Sequence, residues 1–195
     1  MARLVSFKEI EGSHLLRLVI TEGEEKWVCF VRERAYAELG RPAKGEEISD
    51  EELLIIRGED EYVRCKRKAL YLLSICDSSE RGLLAKLKAK GFPHRAASEV
   101  CREMISLGYI NEDAQLERLI LREANEKLFG ARKIMARLAA KGYSASRIRE
   151  AIVALCERGE VDFSANASEL MKRRLESDAA EEERLALLIK YGYKK

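Results

Sequence analysis

The residues of this chain that could do chemistry are mostly basic, and they recur. Arg81, Lys86 and Lys90 each lie 51 positions before another basic residue, respectively Arg132, Arg137 and Lys141, with Lys88 and Lys133 close by. Cations repeated at equivalent positions suit a polyanion, or the acidic surface of a protein partner. They also suit the ordinary solvated face of a helix, and the residues alone leave both readings open. No Arg-rich arm and no helix-turn-helix pattern points to base-specific reading. Other chemistries are poorly supplied. His14 and His94 have no cysteine or carboxylate partners at ligand spacing, so neither a metal nor a cofactor is expected. The chain has no GxGxxG, P-loop, HExxH or GxSxG motif. No catalytic residue is therefore expected, and the chain reads as a binding protein. The five cysteines (29, 65, 76, 101 and 156) never form a CxxC pair, which points to a reducing, cytoplasmic setting.

The elements that hold these cations repeat as well. Ala89-Lys90-Gly91-Phe92, Ala140-Lys141-Gly142-Tyr143 and Lys190-Tyr191-Gly192-Tyr193 are spaced by 51 and then 50 residues. Before each stands an apolar pair at i,i+3: Leu84 and Leu87, Met135 and Leu138, Leu185 and Leu188. Gly108-Tyr109-Ile110 aligns on Gly159-Glu160-Val161 by the same shift. Self-similarity at a fixed period of this size marks a tandem helical repeat. Each glycine suits the left-handed residue that ends a helix, followed by an apolar residue packing back one turn. Phe92 would then pack on Leu87, Tyr143 on Leu138, Tyr193 on Leu188 and Tyr109 on Met104, leaving Glu160 as the exception. The aromatics read as packing plugs, not base-stacking platforms. In the third unit the basic positions become Glu182, Leu187 and Tyr191.

Each full unit reads as three helices: about 63–75, 79–90 and 93–107, then about 114–127, 131–141 and 145–158. A third unit offers 165–175 and 180–191, with no third helix. Ahead of the repeats, Leu15–Ile20 and Trp27–Val31 read as strands around a Gly23 loop, and Leu4–Ile10 as a third. Ser49-Asp50-Glu51-Glu52 is a capping box that opens a helix. The expected fold is mainly α, with tandem three-helix repeats behind a small antiparallel β segment. Its divisions are 1–48 (β-rich extension), 49–62 (linking helix), 63–112 (first repeat), 113–163 (second repeat) and 164–195 (truncated third repeat).

Composition agrees with this reading. The 195 residues are 47% hydrophobic and 36% charged, with only two prolines, as charge-faced helices require. No apolar run approaches the length of a membrane span, and Met1-Ala2-Arg3-Leu4 does not open a signal peptide. The net charge of +2 hides an uneven distribution. Residues 1–62 hold 9 basic and 15 acidic side chains, so the surplus of cations lies in the repeats.

The run Ala69-Leu70-Tyr71-Leu72-Leu73, then Ser79-Glu80, then Leu87-x-x-Lys90-Gly91-Phe92, then Gly108-Tyr109-Ile110-Asn111-Glu112-Asp113 resembles RecX, the bacterial regulator of the RecA recombinase. Leu138-x-x-Lys141-Gly142-Tyr143 fits its second repeat. The likeness covers about 63–160 and loosens after that, and the segment before residue 50 is similar to an N-terminal extension of some members. The resemblance implies an elongated, curved stack of three-helix repeats lying in the groove of the RecA–DNA filament. It implies inhibition of RecA ATP hydrolysis, strand exchange and coprotease activity, by a cytoplasmic monomer that is not an enzyme. Contact with DNA, direct or through the filament, falls to the repeated cations. The alternative is a nucleic-acid-binding repeat protein that acts without RecA. The missing third helix departs from the family pattern and puts that end's contact in doubt.

Overall fold

A computed structural model describes residues 1–193. They are mainly helical, with a small antiparallel sheet at the N-terminus, as the sequence pattern implies. The chain divides into two compact units. One comprises 1–76 and 83–104; the other comprises 77–82 and 105 onward. Residues 194 and 195 of the third repeat lie outside the described residues.

The first unit opens with strands β1 (Ala2–Ile10), β2 (Leu15–Glu22), β3 (Glu25–Arg32) and the two-residue β4 (Glu47–Ile48), in the order β3-β2-β1-β4. All pairs are antiparallel, with Leu18 opposite Cys29 and Ile20 opposite Trp27. Side chains alternate along a strand, so Leu16, Leu18 and Ile20 share one face and enter one core with Leu53 and Ile56. A short helix α1 (Glu33–Glu38) follows, which the sequence reading leaves as connection. Its Tyr36 is buried and donates a hydrogen bond to the Pro42 carbonyl at 2.5 Å.

Helix α2 (Asp50–Ile75) runs without a break through what the sequence divides into a linker and the first repeat helix. It starts on the expected capping box. The Ser49 hydroxyl accepts from the Glu52 N–H, and the Glu52 carboxylate accepts from the Ser49 N–H. Its Asp60 accepts the Phe30 N–H at 2.9 Å, and Arg64 donates to the Val28 carbonyl at 3.5 Å, both on the outer edge of β3. Arg32 reaches across to Glu59 at 2.5–2.8 Å and lies 4.0 Å over the Tyr62 ring. In helix α4 (His94–Ser106), Glu103 accepts from the Tyr62 hydroxyl and from Lys66 at 2.8 Å. The sheet and the first repeat therefore share one helix and one charge network. Helix α3 (Glu80–Ala89) buries Leu83 and Leu87 fully.

The second unit holds α5 (Glu112–Leu121), α6 (Ala131–Ala140), α7 (Ala145–Glu157), α8 (Phe163–Arg174) and α9 (Glu181–Tyr191). A π-helical turn, Arg122–Glu126, extends α5 where the sequence predicts plain helix. Ile148, Ile152 and Leu155 face the core at the spacing of one helix stripe, with Ile134 and Leu138 from α6. The buried pairs of α3 and α6 are thus i,i+4, Leu83 with Leu87 and Ile134 with Leu138, and not the i,i+3 pairs of the sequence reading. The position matching Leu83 and Ile134 is Arg184 in the third unit, and α9 buries no residue fully.

Helices α3, α6 and α9 end on left-handed glycines, with φ of +87°, +93° and +89° at Gly91, Gly142 and Gly192. At each, the following aromatic N–H bonds to the carbonyl five residues back: Phe92 to Leu87, Tyr143 to Leu138 and Tyr193 to Leu188, at 3.0–3.3 Å. Tyr143 and Tyr193 are buried, and each hydroxyl finds an acceptor, Gln115 at 2.9 Å and the Leu128 carbonyl at 3.0 Å. Tyr109 departs from the packing expectation and is 55% exposed. The inward place falls one residue later, to Ile110, just as Val161 is buried after Glu160.

Within the second unit these glycine caps receive helix starts from elsewhere. Ser79, directly before α3, donates to the Lys141 carbonyl at 2.8 Å and accepts from the Gly82 N–H at 3.0 Å. A Cβ on Gly142 would sit 2.7 Å from the Ser79 hydroxyl and 2.9 Å from the Gly82 nitrogen. One repeat further on, the Gly130 N–H bonds to the Tyr191 carbonyl at 2.8 Å and the Arg132 N–H to the Gly192 carbonyl at 3.1 Å. A Cβ on Gly192 would collide with the backbone of Lys133. Ser79 and Gly130, and then Gly142 and Gly192, are repeat equivalents, so one junction is built twice. Gly91 has open space around it. Gly142→Ala should therefore cost about 1–2 kcal/mol from left-handed strain and about 1–3 kcal/mol more from the collision, while Gly91→Ala pays only the first. Chemical denaturation of both variants checks the difference.

Candidate functional site

The repeated cations divide into those that face solvent and those already engaged. In the first unit, Lys88 in the last turn of α3 and Lys90 just after it are exposed, whereas Lys86 is half-buried and donates to the Cys76 sulfur at 3.5 Å. In the second unit, Arg81 and Lys141 meet at one junction. The Arg81 Cβ lies 3.3 Å from where a Gly142 Cβ would be, and the Lys141 carbonyl receives Ser79. Both side chains are exposed, as is that of Arg132, so their backbones serve the junction while their charges remain outside.

Lys133 and Arg137 are not available in the same way. The Lys133 ammonium sits 4.2 Å from the Phe129 ring centre and 4.9 Å from that of Tyr191, and donates to the Lys190 carbonyl at 3.2 Å. Arg137 donates at 2.6 Å to Glu123, whose side chain is only 3% exposed, and Lys127 donates to the same carboxylate at 2.7 Å. Glu123 stands in the π-helical turn, whose wider winding carries the acid inward. Burial works against its charge, but the bonds from Lys127 and Arg137 prevail and hold its pKa below the usual carboxylate range. Both candidates thus have partners within the fold: Arg137 because an inward carboxylate demands cationic partners, and Lys133 through two rings and a carbonyl.

The Gly-Tyr-Ile-Asn-Glu-Asp stretch also proves structural. Asn111 caps α5 by accepting the Ala114 N–H at 3.2 Å. Glu112 accepts the Glu80 N–H at 2.9 Å and Arg147 at 2.5 Å, and Asp113 accepts Arg147 at 2.7 Å. One carboxylate thereby ties the starts of α3 and α5 to α7. Sequence reasoning missed Ser79, Gly82, Gly130 and Glu112 as positioning residues. The signal was present in the small residues at 79, 82 and 130, which stand where a second backbone comes close. Among the described residues no cluster of three or more His, Cys, Asp or Glu side chains could hold a metal, and no helix is long and apolar enough to cross a membrane.

No family model matches the chain. It is 32% identical over 133 residues to the Regulatory protein RecX of Clostridioides difficile (strain 630), which is 68% of this chain and 61% of the relative. To the Regulatory protein RecX of Clostridium tetani (strain Massachusetts / E88) it is 32% identical over 106 residues, 54% of this chain and 48% of the relative. The chain thus spans about half to three-fifths of the length of the curated relatives it matches. A crystal structure of regulatory protein RecX superposes with a TM-score of 0.70 at 18% identity, covering 100% of this chain and 95% of the other. That of RecX from Lactobacillus salivarius gives 0.57 at 20% identity, over 69% of this chain and 90% of the other. The chain belongs to the RecX family. The sequence relatives carry that assignment, and the first of the solved RecX structures shares the fold over the whole chain.

Two outcomes follow from Glu123. Arg137→Ala should lower stability by about 1–3 kcal/mol, the cost of leaving a buried acceptor undersatisfied, measured by urea denaturation. Because its folded pKa is depressed, the stability that Glu123 contributes is complete above its unfolded value, about 4.3, and is lost as the pH falls through the folded value. The melting temperature should therefore drop on acidification through that range, and drop less steeply in Glu123→Gln.

Proposed function

We propose that this RecX-family chain is a regulator of the RecA recombinase. It inhibits by binding in the groove of the RecA–DNA filament and suppressing ATP hydrolysis, strand exchange and coprotease activity. The observation that carries this reading is the match to relatives named Regulatory protein RecX, together with the motif run from Ala69 to Asp113. The physical arrangement supports it. A filament presents the same surface on each protomer, and tandem units can present equivalent side chains to successive protomers. Such multivalent binding raises affinity without a catalytic centre. Binding one filament state better than another shifts the population toward that state and stalls the ATPase cycle. Of the candidate cations, Arg81, Lys88, Lys90, Arg132, Arg137 and Lys141 are exposed, and since Arg137 is paired with Glu123 this reading takes the other five as its contact set. The setting is the cytoplasm.

The same five cations favour a second reading, a nucleic-acid-binding repeat protein that acts without RecA. It would bind bare DNA with an affinity that falls by powers of ten over a few-fold rise in salt. The test is DNA-dependent ATP hydrolysis by RecA, titrated with the chain. Inhibition is expected near or below one copy per protomer, and full activity in excess chain overturns the proposal. The folded variant Arg81→Glu/Arg132→Glu/Lys141→Glu should need at least about tenfold more protein for half-inhibition, about 1.4 kcal/mol over three charges. Unchanged inhibition returns those side chains to solvation alone.

A further inference from the structure

We propose that the glycine cap ending α3 is a socket for the start of α9 from a second copy of this chain. The junction has two filled examples in the second unit. In both, a helix start bonds to carbonyls at or beside a left-handed glycine: the Ser79 hydroxyl to Lys141 beside Gly142, then the Gly130 and Arg132 N–H groups to Tyr191 and Gly192. By the repeat shift, the corresponding carbonyls at the end of α3 are those of Lys90 and Gly91. No described donor reaches either of them, and a Cβ on Gly91 would meet nothing within 4 Å. This cap has the backbone form of the filled ones, with φ of +87° and the Phe92-to-Leu87 bond, but no occupant.

The matching plug is also spare. Gly130, at the start of α6, has extended backbone (φ −75°, ψ 164°) and no side-chain cap, and the α9 cap carbonyls serve it instead. Ala180, at the start of α9 and 50 residues on, has the same form (φ −63°, ψ 152°) and again no side-chain cap. Its helix start carries unsatisfied N–H groups that only water or another chain can meet. Set by the second of the filled junctions, whose helix start also has no side-chain cap, the Ala180 N–H would donate to the Lys90 carbonyl and the Glu182 N–H to that of Gly91.

Charge chooses the occupant. The first turn of α9 is Glu181-Glu182-Glu183, all exposed, while the socket is edged by the exposed Lys88 and Lys90. The filled junctions show less of this opposition: α3 opens on Glu80 but follows it with Arg81 near Lys141, and α6 opens on Ala131-Arg132-Lys133 with Lys133 at the end of α9 beside Lys190. The two spare ends are thus the most strongly opposed in charge. A contact of this kind is head-to-tail and not self-complementary, so each added copy offers a fresh end. The monomer expected from the sequence becomes the dilute limit.

Sedimentation of the full chain, at low salt and without RecA or DNA, tests this independently of the regulatory reading. Average mass should rise with concentration past that of a pair, and fall again on adding salt. Glu181→Gln/Glu182→Gln/Glu183→Gln and Lys88→Glu/Lys90→Glu should each weaken association at least about tenfold. Mixed together, the two variants should recover a one-to-one pair that grows no further, since each keeps one good end. A wild-type chain that stays monomeric across the series overturns the proposal. So does association that neither variant weakens, which would place the contact elsewhere.

Discussion

A helix start leaves N–H groups without partners, and a helix end leaves carbonyls. In the second unit of this protein the two deficits offset one another, directly at the start of α6 and through the Ser79 hydroxyl at the start of α3. The first turn of α3 rests on the cap of α6, and the first turn of α6 rests on the cap of α9. Backbone meets backbone at separations that exclude a side chain from the cap, so Gly142 and Gly192 are required twice: by their left-handed φ and by the chain lying against them. The period of the sequence follows from this. A residue at a helix start and a glycine at the end of the next repeat's helix must stay in step, or the closure fails. The aromatic that follows each glycine then locks the closed end, with its hydroxyl satisfied inside where it is a tyrosine.

Much of this was legible before any coordinates. The glycine–aromatic landmarks lie at helix ends, the capping box at Ser49 opens α2, and the strands fall where alternating apolar residues place them. What escaped has identifiable causes. Helix α1 is too short to display a period. The π-helical turn leaves no mark in composition, since its residues are those of an ordinary helix. Tyr109 follows a glycine as Phe92 does, yet Ile110 takes the buried place, because the repeat aligns it on Val161. A plug is defined by which side chain faces the core, and type alone does not say that.

The candidate interface was only partly legible, for a related reason. Basic residues at matched positions look alike in sequence, and their partners decide their roles. Arg137 and Arg81 read alike, but one neutralises Glu123 in the interior and the other stands in solvent. Lys133 spends its charge on two aromatic rings. A cation's partner lies 14 residues away or 57, and no local pattern reports it. The effect is to leave five of the eight candidate cations exposed and outside the pairings described, with Arg137 exposed but tied to Glu123.

The strand at the rim of the N-terminal sheet carries a further consequence. Asp60 and Arg64 occupy the outward N–H of Phe30 and the outward carbonyl of Val28, and β4 covers the opposite rim at Ala2 and Arg3. At those positions an extended peptide finds its hydrogen-bonding sites already taken. Recruitment by adding a strand, which many small sheets use to capture partners and which exposed rims suffer in aggregation, is blocked there by two side chains of one helix. A partner that approaches β3 at these two positions must recognise side chains.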